Sequence, residues 1–376
     1  PFKLDMKTAQ KKIQELIVKY NFKLDLNTMV KDLSVGAQQR VEIIKALYRG
    51  ADILIMDEPT AVLTPLEVEE LFIILKQFIA AGKSIIFISH KLAEVIKISD
   101  RITVLRDGEV VDVVETKGIT KEELAAMMVG REITMSYLKK PITQEENLLK
   151  LENVKSKGEL NVSCLAGITF TVRKGEILGV AGVDGNGQKE LAEVIMGLRP
   201  LEAGHIFYKG KNITFLSTRE RIEKGMAHIP ADRMQEGLVL DFSVAENLVL
   251  DNYDREPITI KGIFYPEQVQ RLGAKLVSEF DVRPPTPEAI TRNLSGGNQQ
   301  KVVLARELNR EPSFILAMQP TRGLDIGATE FVHQRLLREK EAGAAVLLIS
   351  ADLDEVLMVA DRVLVLYEGQ IMGEFI

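Results

Sequence analysis

The chain has 376 residues, 27% of them charged, a net charge of −6 and a single cysteine, Cys164. That length supports two domains with cores of their own, and the mild acidity argues against a duplex nucleic-acid binder, which usually shows a basic face. One cysteine excludes an internal disulfide or a cysteine-built metal site, and no uncharged apolar run approaches the ~18–20 residues that span a bilayer.

The opening Pro1-Phe2-Lys3-Leu4-Asp5 reads as neither a signal peptide nor a natural start. Residues 6–20 have the pattern of an amphipathic helix, and 35–49 of a second. Ile53-Leu54-Ile55-Met56 and Ile85-Ile86-Phe87-Ile88 are short apolar runs of buried-strand type, each ending at a polar motif. Helical patterns separate them, which predicts an α/β core with a mostly parallel sheet and functional residues at the strands' carboxyl ends. Thr120-Lys121-Glu122-Glu123 has capping-box form, and Gly130 stands where a glycine would end that helix. Residues 139–146, polar and containing Pro141, read as a linker. Beyond it, 149–154 and 168–172 are strand-like, and 204–213 predicts antiparallel strands turning at Lys209-Gly210-Lys211.

One motif series occurs twice, each time 261 positions on and without a gap. Leu33-Ser34-Val35-Gly36 corresponds to Leu294-Ser295-Gly296-Gly297, and Asp57-Glu58-Pro59-Thr60 to Met318-Gln319-Pro320-Thr321. Ser89-His90 corresponds to Ser350-Ala351, and Asp100-Arg101 to Asp361-Arg362. This is a duplicated domain. The copies differ where chemistry would be done: Asp57, Glu58 and His90 face Met318, Gln319 and Ala351.

The motif order resembles the ATP-binding cassette ATPases, specifically importer subunits that carry two fused cassettes. Leu294-Ser295-Gly296-Gly297-Asn298-Gln299 matches the signature, Asp57-Glu58 the Walker B end, and His90, 32 residues after Glu58, the switch histidine. The resemblance implies tandem P-loop NTPase domains with a mostly parallel sheet, an antiparallel layer and a helical subdomain. It divides the chain into the C-terminal part of a first cassette (1–112), a connector helix and linker (113–147) and a second, degenerate cassette (148–376). In the second copy a glycine-rich loop begins at Gly182, 113 residues before Ser295, whereas only 33 residues precede Ser34. The first phosphate loop is therefore expected to lie outside the chain, which reads as a fragment with a short C-terminal tail also missing, and inactive by itself.

The residue types suit the implied chemistry. Ser295-Gly296-Gly297 at a helix start presents backbone N–H groups to phosphate. In this family that signature closes in trans on ATP held by the other cassette. Asp57 would hold Mg²⁺ through water, Glu58 would orient and deprotonate the attacking water, and His90 would contact the γ-phosphate. A lone histidine at a strand end is ordinarily structural, but the matched spacing outweighs that here. His205, His228 and His333 keep the structural reading, because they form no metal-ligand spacing.

The second copy departs from the family pattern. Its loop reads Gly182-Val183-Asp184-Gly185-Asn186-Gly187-Gln188-Lys189-Glu190, with Gln188 in place of the phosphate-binding lysine. The glycines can still form a backbone nest, with Lys189 near by, so nucleotide binding is still expected there. Met318 cannot serve Mg²⁺, Gln319 cannot accept a proton, and no aromatic residue stands between Lys150 and Ile168 to stack on adenine. The defective loop would pair with the altered Ser34-Val35-Gly36, and the intact Asp57, Glu58 and His90 with the intact signature. One competent and one silent composite site follow.

The leading expectation is an ATPase energising nucleoside import through integral-membrane permease subunits, at the cytoplasmic face of the membrane. A solute-binding lipoprotein is implied indirectly, a second copy of the subunit is a further expected partner, and nucleic acid is not. A monosaccharide importer of ribose, xylose or galactose type is the nearest alternative. A soluble two-cassette ATPase acting on ribosomes or nucleic acid is the alternative of another class, disfavoured by the short connector and the silent site. Permease docking is expected around residues 231–247, where Ala231 holds the family's Q-loop position and Asp232 and Arg233 are expected to be exposed.

Overall fold

The computed structural model describes residues 5–20, 22, 24–33, 35–60, 63, 65–106, 108–133, 137, 146–158, 163–183 and 185–376. The chain divides into two compact units, Pro1–Ile133 and Thr134–Ile376. The expected linker at 139–146 lies outside the described residues except for Glu146.

The first unit runs α1 (Met6–Lys19), α2 (Val35–Tyr48), β1 (Ile53–Asp57), α3 (Pro65–Ala80), β2 (Ser84–Ile88), α4 (Leu92–Ile98), β3 (Arg101–Arg106), β4 (Glu109–Glu115) and α5 (Lys121–Val129). β1 and β2 pair in parallel, Asp57 opposite Ile88, and β3 and β4 pair antiparallel. Leu71, Phe72, Leu75 and Phe78 of α3 bury one face of β1 through Leu54 and Met56. α5 starts as its sequence predicts: Thr120 Oγ1 accepts from Glu123 N at 3.2 Å, and Glu123 Oε2 accepts from Thr120 N at 2.9 Å. Gly130 closes it in the left-handed region at φ 81, where a β-carbon would be strained.

The second unit runs β5 (Asn147–Lys157), β6 (Ser163–Arg173), β7 (Ile177–Ala181), α6 (Gln188–Met196), β8 (Ala203–Tyr208), β9 (Lys211–Asn212), α7 (Thr218–Glu223) and β10 (Met226–Ile229). It continues through α8 (Val244–Leu248), β11 (Thr259–Ile260), β12 (Ile263–Phe264), α9 (Pro266–Glu279), α10 (Gly296–Leu308) and β13 (Phe314–Met318). The last elements are α11 (Ile326–Glu341), β14 (Ala345–Ser350), α12 (Leu353–Val359), β15 (Arg362–Tyr367) and β16 (Gln370–Phe375). Among the described residues, one sheet has the order β10-β13-β14-β7-β15-β16, parallel except for β16, and a second, antiparallel sheet has the order β6-β5-β8-β9. β7 and β14 are buried along their whole length because both faces are covered. One face packs with α6 and the antiparallel sheet, the other with α10, α11 and α12. α8 and α9 add the helical group beside α10.

The two units bury equivalent strands differently. Phe314, Leu316, Leu347 and Ile349 lie in the core shared with α6 and the antiparallel sheet. Their counterparts Ile53, Ile55, Ile86 and Ile88 are exposed, at 60%, 66%, 51% and 47%. Among the described residues of the first unit, no antiparallel sheet covers that face.

Candidate active site

In the first unit β1 delivers Asp57 and Glu58 at its carboxyl end, and β2 delivers His90 just beyond its own. Glu58 adopts φ 46, a left-handed conformation unfavourable for a side-chain-bearing residue. It is held there by its backbone N–H, which donates to Ile88 O at 2.9 Å. One carboxylate oxygen, Oε1, accepts from His90 Nδ1 at 2.8 Å and from His90 N at 3.2 Å. The other, Oε2, is buried without a hydrogen-bond donor among the described residues. An acceptor left so costs ~1–3 kcal/mol, and a water is the natural partner. Asp57 is exposed at the strand end. Its hard oxygen fits Mg²⁺, which takes one or two carboxylates and completes its shell with water and phosphate.

The second unit reproduces the scaffold and not the chemistry. Gln319 has φ 47, and its N–H donates to Ile349 O at 2.7 Å. Thr321 Oγ1 donates to Glu355 Oε1 at 2.8 Å, as Thr60 Oγ1 does to Glu94. Gln300 Nε2 donates to Pro320 O at 2.8 Å, as Gln39 does to Pro59 O. Sequence spacing did not single out these braces, although both glutamines stand at the same repeat offset. Met318 offers no hard oxygen, and Ala351 no ring.

The signature turn is formed as expected. Ser295 caps α10, its Oγ accepting from Asn298 N at 3.4 Å and Asn298 Nδ2 at 2.9 Å. Ser295 is exposed, and Gly296 and Gly297 half-buried. Gln299 points inward instead, buried and donating to Thr291 O at 3.2 Å. In the first unit Ser34 lies outside the described residues, while Gly36 is buried in the first turn of α2, close against Glu67.

The glycine loop of the second unit is tied to itself. Gln188, buried at the start of α6, accepts from Asn186 N at 3.0 Å and donates to Val183 O at 2.8 Å. Asn186 Nδ2 donates to the same carbonyl at 2.8 Å. Asn186 also accepts from the turn between β15 and β16, from Glu368 N through Oδ1 and Gly369 N through its carbonyl, both at 2.9 Å. Gly182 packs beneath Gln188, and Gly187, at φ 105, closes the loop against Cys164 O. Gly185 is exposed at the tip, and Asp184 lies outside the described residues. Lys189 is not brought to the loop: it is exposed, its Nζ 3.8 Å from Glu193 Oε1. The i to i+4 spacing of that pair was present in the sequence.

Each of the remaining histidines lies on a strand or helix. His205 lies on β8, and His333 on α11 donates to the buried Glu355 at 3.1 Å. His228 lies on β10, and burial, with Arg306 near by, pushes its imidazole down to about 4.

Asp232 and Arg233 do not stand exposed; both are half-buried. Asp232 Oδ1 caps the turn Arg233–Gly237, accepting from Met234 N at 2.9 Å and Gln235 N at 3.0 Å. Arg233 Nη1 donates to Arg322 O at 2.8 Å, and its guanidinium lies over Gly296. Gly296 and Gly323 both leave the space beside Nη2 free of a β-carbon.

The model of the ABC transporter family matches residues 3–61 and 165–322. The nucleoside import ATP-binding protein NupA of Lactococcus lactis subsp. cremoris is 47% identical, over 98% of this chain and 73% of that protein. The guanosine import ATP-binding protein NupO of Bacillus subtilis is 43% identical, over 99% and 73%. The glucose import ATP-binding protein TsgD13 of Haloferax volcanii is 44% identical, over 99% and 68%. Among solved structures, a nucleotide-free ATP-binding cassette from an ABC transporter is 25% identical with a TM-score of 0.52, covering 61% of this chain and 90% of that one. The expected cassette fold is thereby confirmed.

Proposed function

The chain belongs to the ABC transporter family, and on that premise we propose that it is the ATP-hydrolysing subunit of a nucleoside importer. The observation that carries the catalytic part is the Glu58–His90 pair: one carboxylate oxygen fixes the ring, and the other is buried without a donor. A water held at Oε2 is oriented and deprotonated there as it attacks the terminal phosphate. With Nδ1 given to Glu58, Nε2 is the ring nitrogen for the phosphate. Asp57 holds Mg²⁺, which neutralises charge on the phosphates. Ser295, Gly296, Gly297 and Asn298 provide the phosphate-facing turn, braced from below by Gln299. Met318, Gln319 and Ala351 leave the second set of motifs without a base, a metal ligand or a ring, so hydrolysis is confined to the first. The glycine loop, with Gly182, Gly185, Asn186, Gly187, Gln188 and Lys189, holds nucleotide weakly at most.

No helix among the described residues is long and apolar enough to cross a membrane. Residues 231–247 carry the exposed Met234, Val239 and Phe242, which supports a protein partner on that face: integral permease subunits at the cytoplasmic side of the membrane. An extracytoplasmic solute-binding lipoprotein would act through the permease, and a second copy of this subunit would complete the pair. The nucleoside assignment rests on the similarity to NupA and NupO, with a sugar importer as the second reading, supported by TsgD13. Uptake of labelled guanosine, uridine, glucose and ribose, in a strain lacking the gene and in the same strain complemented, tests it. Loss of nucleoside uptake with both sugars spared is expected; loss of a sugar alone would replace the substrate and leave the ATPase reading in place.

A further inference from the structure

Arg233 joins three parts of the second unit that the proposed function uses separately. It opens the turn Arg233–Gly237 that follows β10, in the segment expected to meet a partner. Its Nη1 donates to Arg322 O, beyond the Pro320-Thr321 brace, at 2.8 Å. Its Nη2 lies so close over Gly296 that a β-carbon there would collide with it. The turn is fastened a second time at its far end, where Gly237 O accepts from Arg306 Nη1 of α10 at 2.7 Å. The rest of the segment grips the lead-in to the signature: Thr291 N donates to Phe242 O and Arg292 N to Leu240 O, both at 3.0 Å. Asn247 Nδ2 donates to Thr291 Oγ1, also at 3.0 Å.

We infer that Arg233 is a positioning residue for ATP hydrolysis, holding the signature turn and the Arg322 loop to the partner-facing segment 231–247. The geometry gives it that role without contact with the reacting atoms. A guanidinium can present one N–H edge to a carbonyl while its flat face and second nitrogen cover a glycine; a lysine, with one compact ammonium, does only the first. A β-carbon at Gly296 would push the Arg233 guanidinium aside, because Nη2 occupies the space it would need. Movement of segment 231–247 is then felt at the turn that meets phosphate, since the two share a rigid cross-brace rather than a flexible loop. The inference rests on the proposed phosphate-binding role of Ser295–Gly297 and extends it to a residue outside the signature.

The test is a double-mutant cycle in the intact, membrane-reconstituted importer, with kcat and KM for ATP, substrate moved per ATP, and melting temperature read for each variant. Arg233→Ala is expected to raise KM for ATP about tenfold with kcat changed less than about threefold, to lower substrate moved per ATP, and to leave the melting temperature within about 3 °C. Gly296→Ala is expected to raise KM comparably by displacing the guanidinium. The double variant should lose less than the product of the two single losses, because the added methyl no longer meets the guanidinium. Arg233→Lys should recover only part of the loss. Unchanged KM and coupling in Arg233→Ala, additive effects in the double variant, or a loss that follows the melting temperature would each overturn the inference. If Arg233→Ala is silent while Ser295→Arg abolishes turnover, the inference alone fails. If both are silent, the phosphate-binding reading of the turn fails with it.

Discussion

Glu58 Oε1 stands 2.8 Å from His90 Nδ1, so the residue expected to activate water also sets the orientation of the ring expected to touch phosphate. The same oxygen accepts from the His90 backbone, which fixes the strand end as well as the side chain. In the second unit Gln319 occupies the same left-handed conformation with the same backbone bond, and Ala351 gives it nothing to orient. The scaffold has outlived the chemistry.

His90→Ala should therefore reduce ATP turnover in the intact importer by about 10²–10³-fold, the usual worth of one group stabilising charge in the transition state. KM for ATP should change much less. Steady-state phosphate release, with both constants extracted, checks this; a rise in KM alone would make the histidine a binding residue.

Gln188 ties the glycine loop internally and Lys189 points away, so the second loop lacks a cation for phosphate. Gln188→Lys should strengthen nucleotide binding there by about 10–100-fold, the value of one charge-assisted hydrogen bond. Equilibrium ATP binding, in a background carrying Glu58→Gln to suppress turnover, should resolve a tighter second class of site. An unchanged binding curve would mean that the loop fails for a reason other than the missing charge.

Arg221 is buried and donates to the carbonyls of Leu216, Val194, Ile195, Ile213 and Thr214, at 2.6–3.1 Å. No carboxylate shares in those bonds, and burial pulls its guanidinium down to about 10. Arg221→Met should destabilise the second unit by about 3 kcal/mol or more, because several buried carbonyls lose their donor together. Denaturant unfolding of the intact protein would show it as a lower midpoint of the second unit's transition.

His228 gives the second unit a pH-dependent stability. Its folded value near 4 lies below the ordinary 6.5, so the unfolded chain takes up the proton first as pH falls. Stability contributed by the neutral ring is present above about pH 6.5 and is lost between there and about pH 4, by roughly 1–2 kcal/mol between pH 7 and 5. His228→Gln should flatten that slope. Equal pH slopes in the two proteins would remove His228 as the cause.

Much of this was legible in the sequence because the chemistry sits at strand ends and the duplication marks equivalent positions. The capping box at Thr120, the turn at Lys209 and Gly210 and the cap at Ser295 are local, and local rules reach them. Spacing gives a residue's position along the chain but not the direction of its side chain. Hence Gln299, part of the signature match, turns into the core, and Arg233, at a position the sequence places in solvent, folds over Gly296. Lys189 is the same kind of case: it adjoins the loop in sequence, but the first turn of α6 carries it around to Glu193.

The asymmetry between the two sets of motifs is tested most directly by ATP turnover of the intact importer in two variants compared side by side. Glu58→Gln removes the base and keeps the shape, and should lower kcat by about 10²–10⁴-fold. Gln319→Ala alters the equivalent position of the second unit, and should leave kcat within about twofold of the unaltered protein, with the melting temperature confirming that both variants are folded. Comparable losses in the two variants would contradict the account, because they would show both sets of motifs at work in hydrolysis.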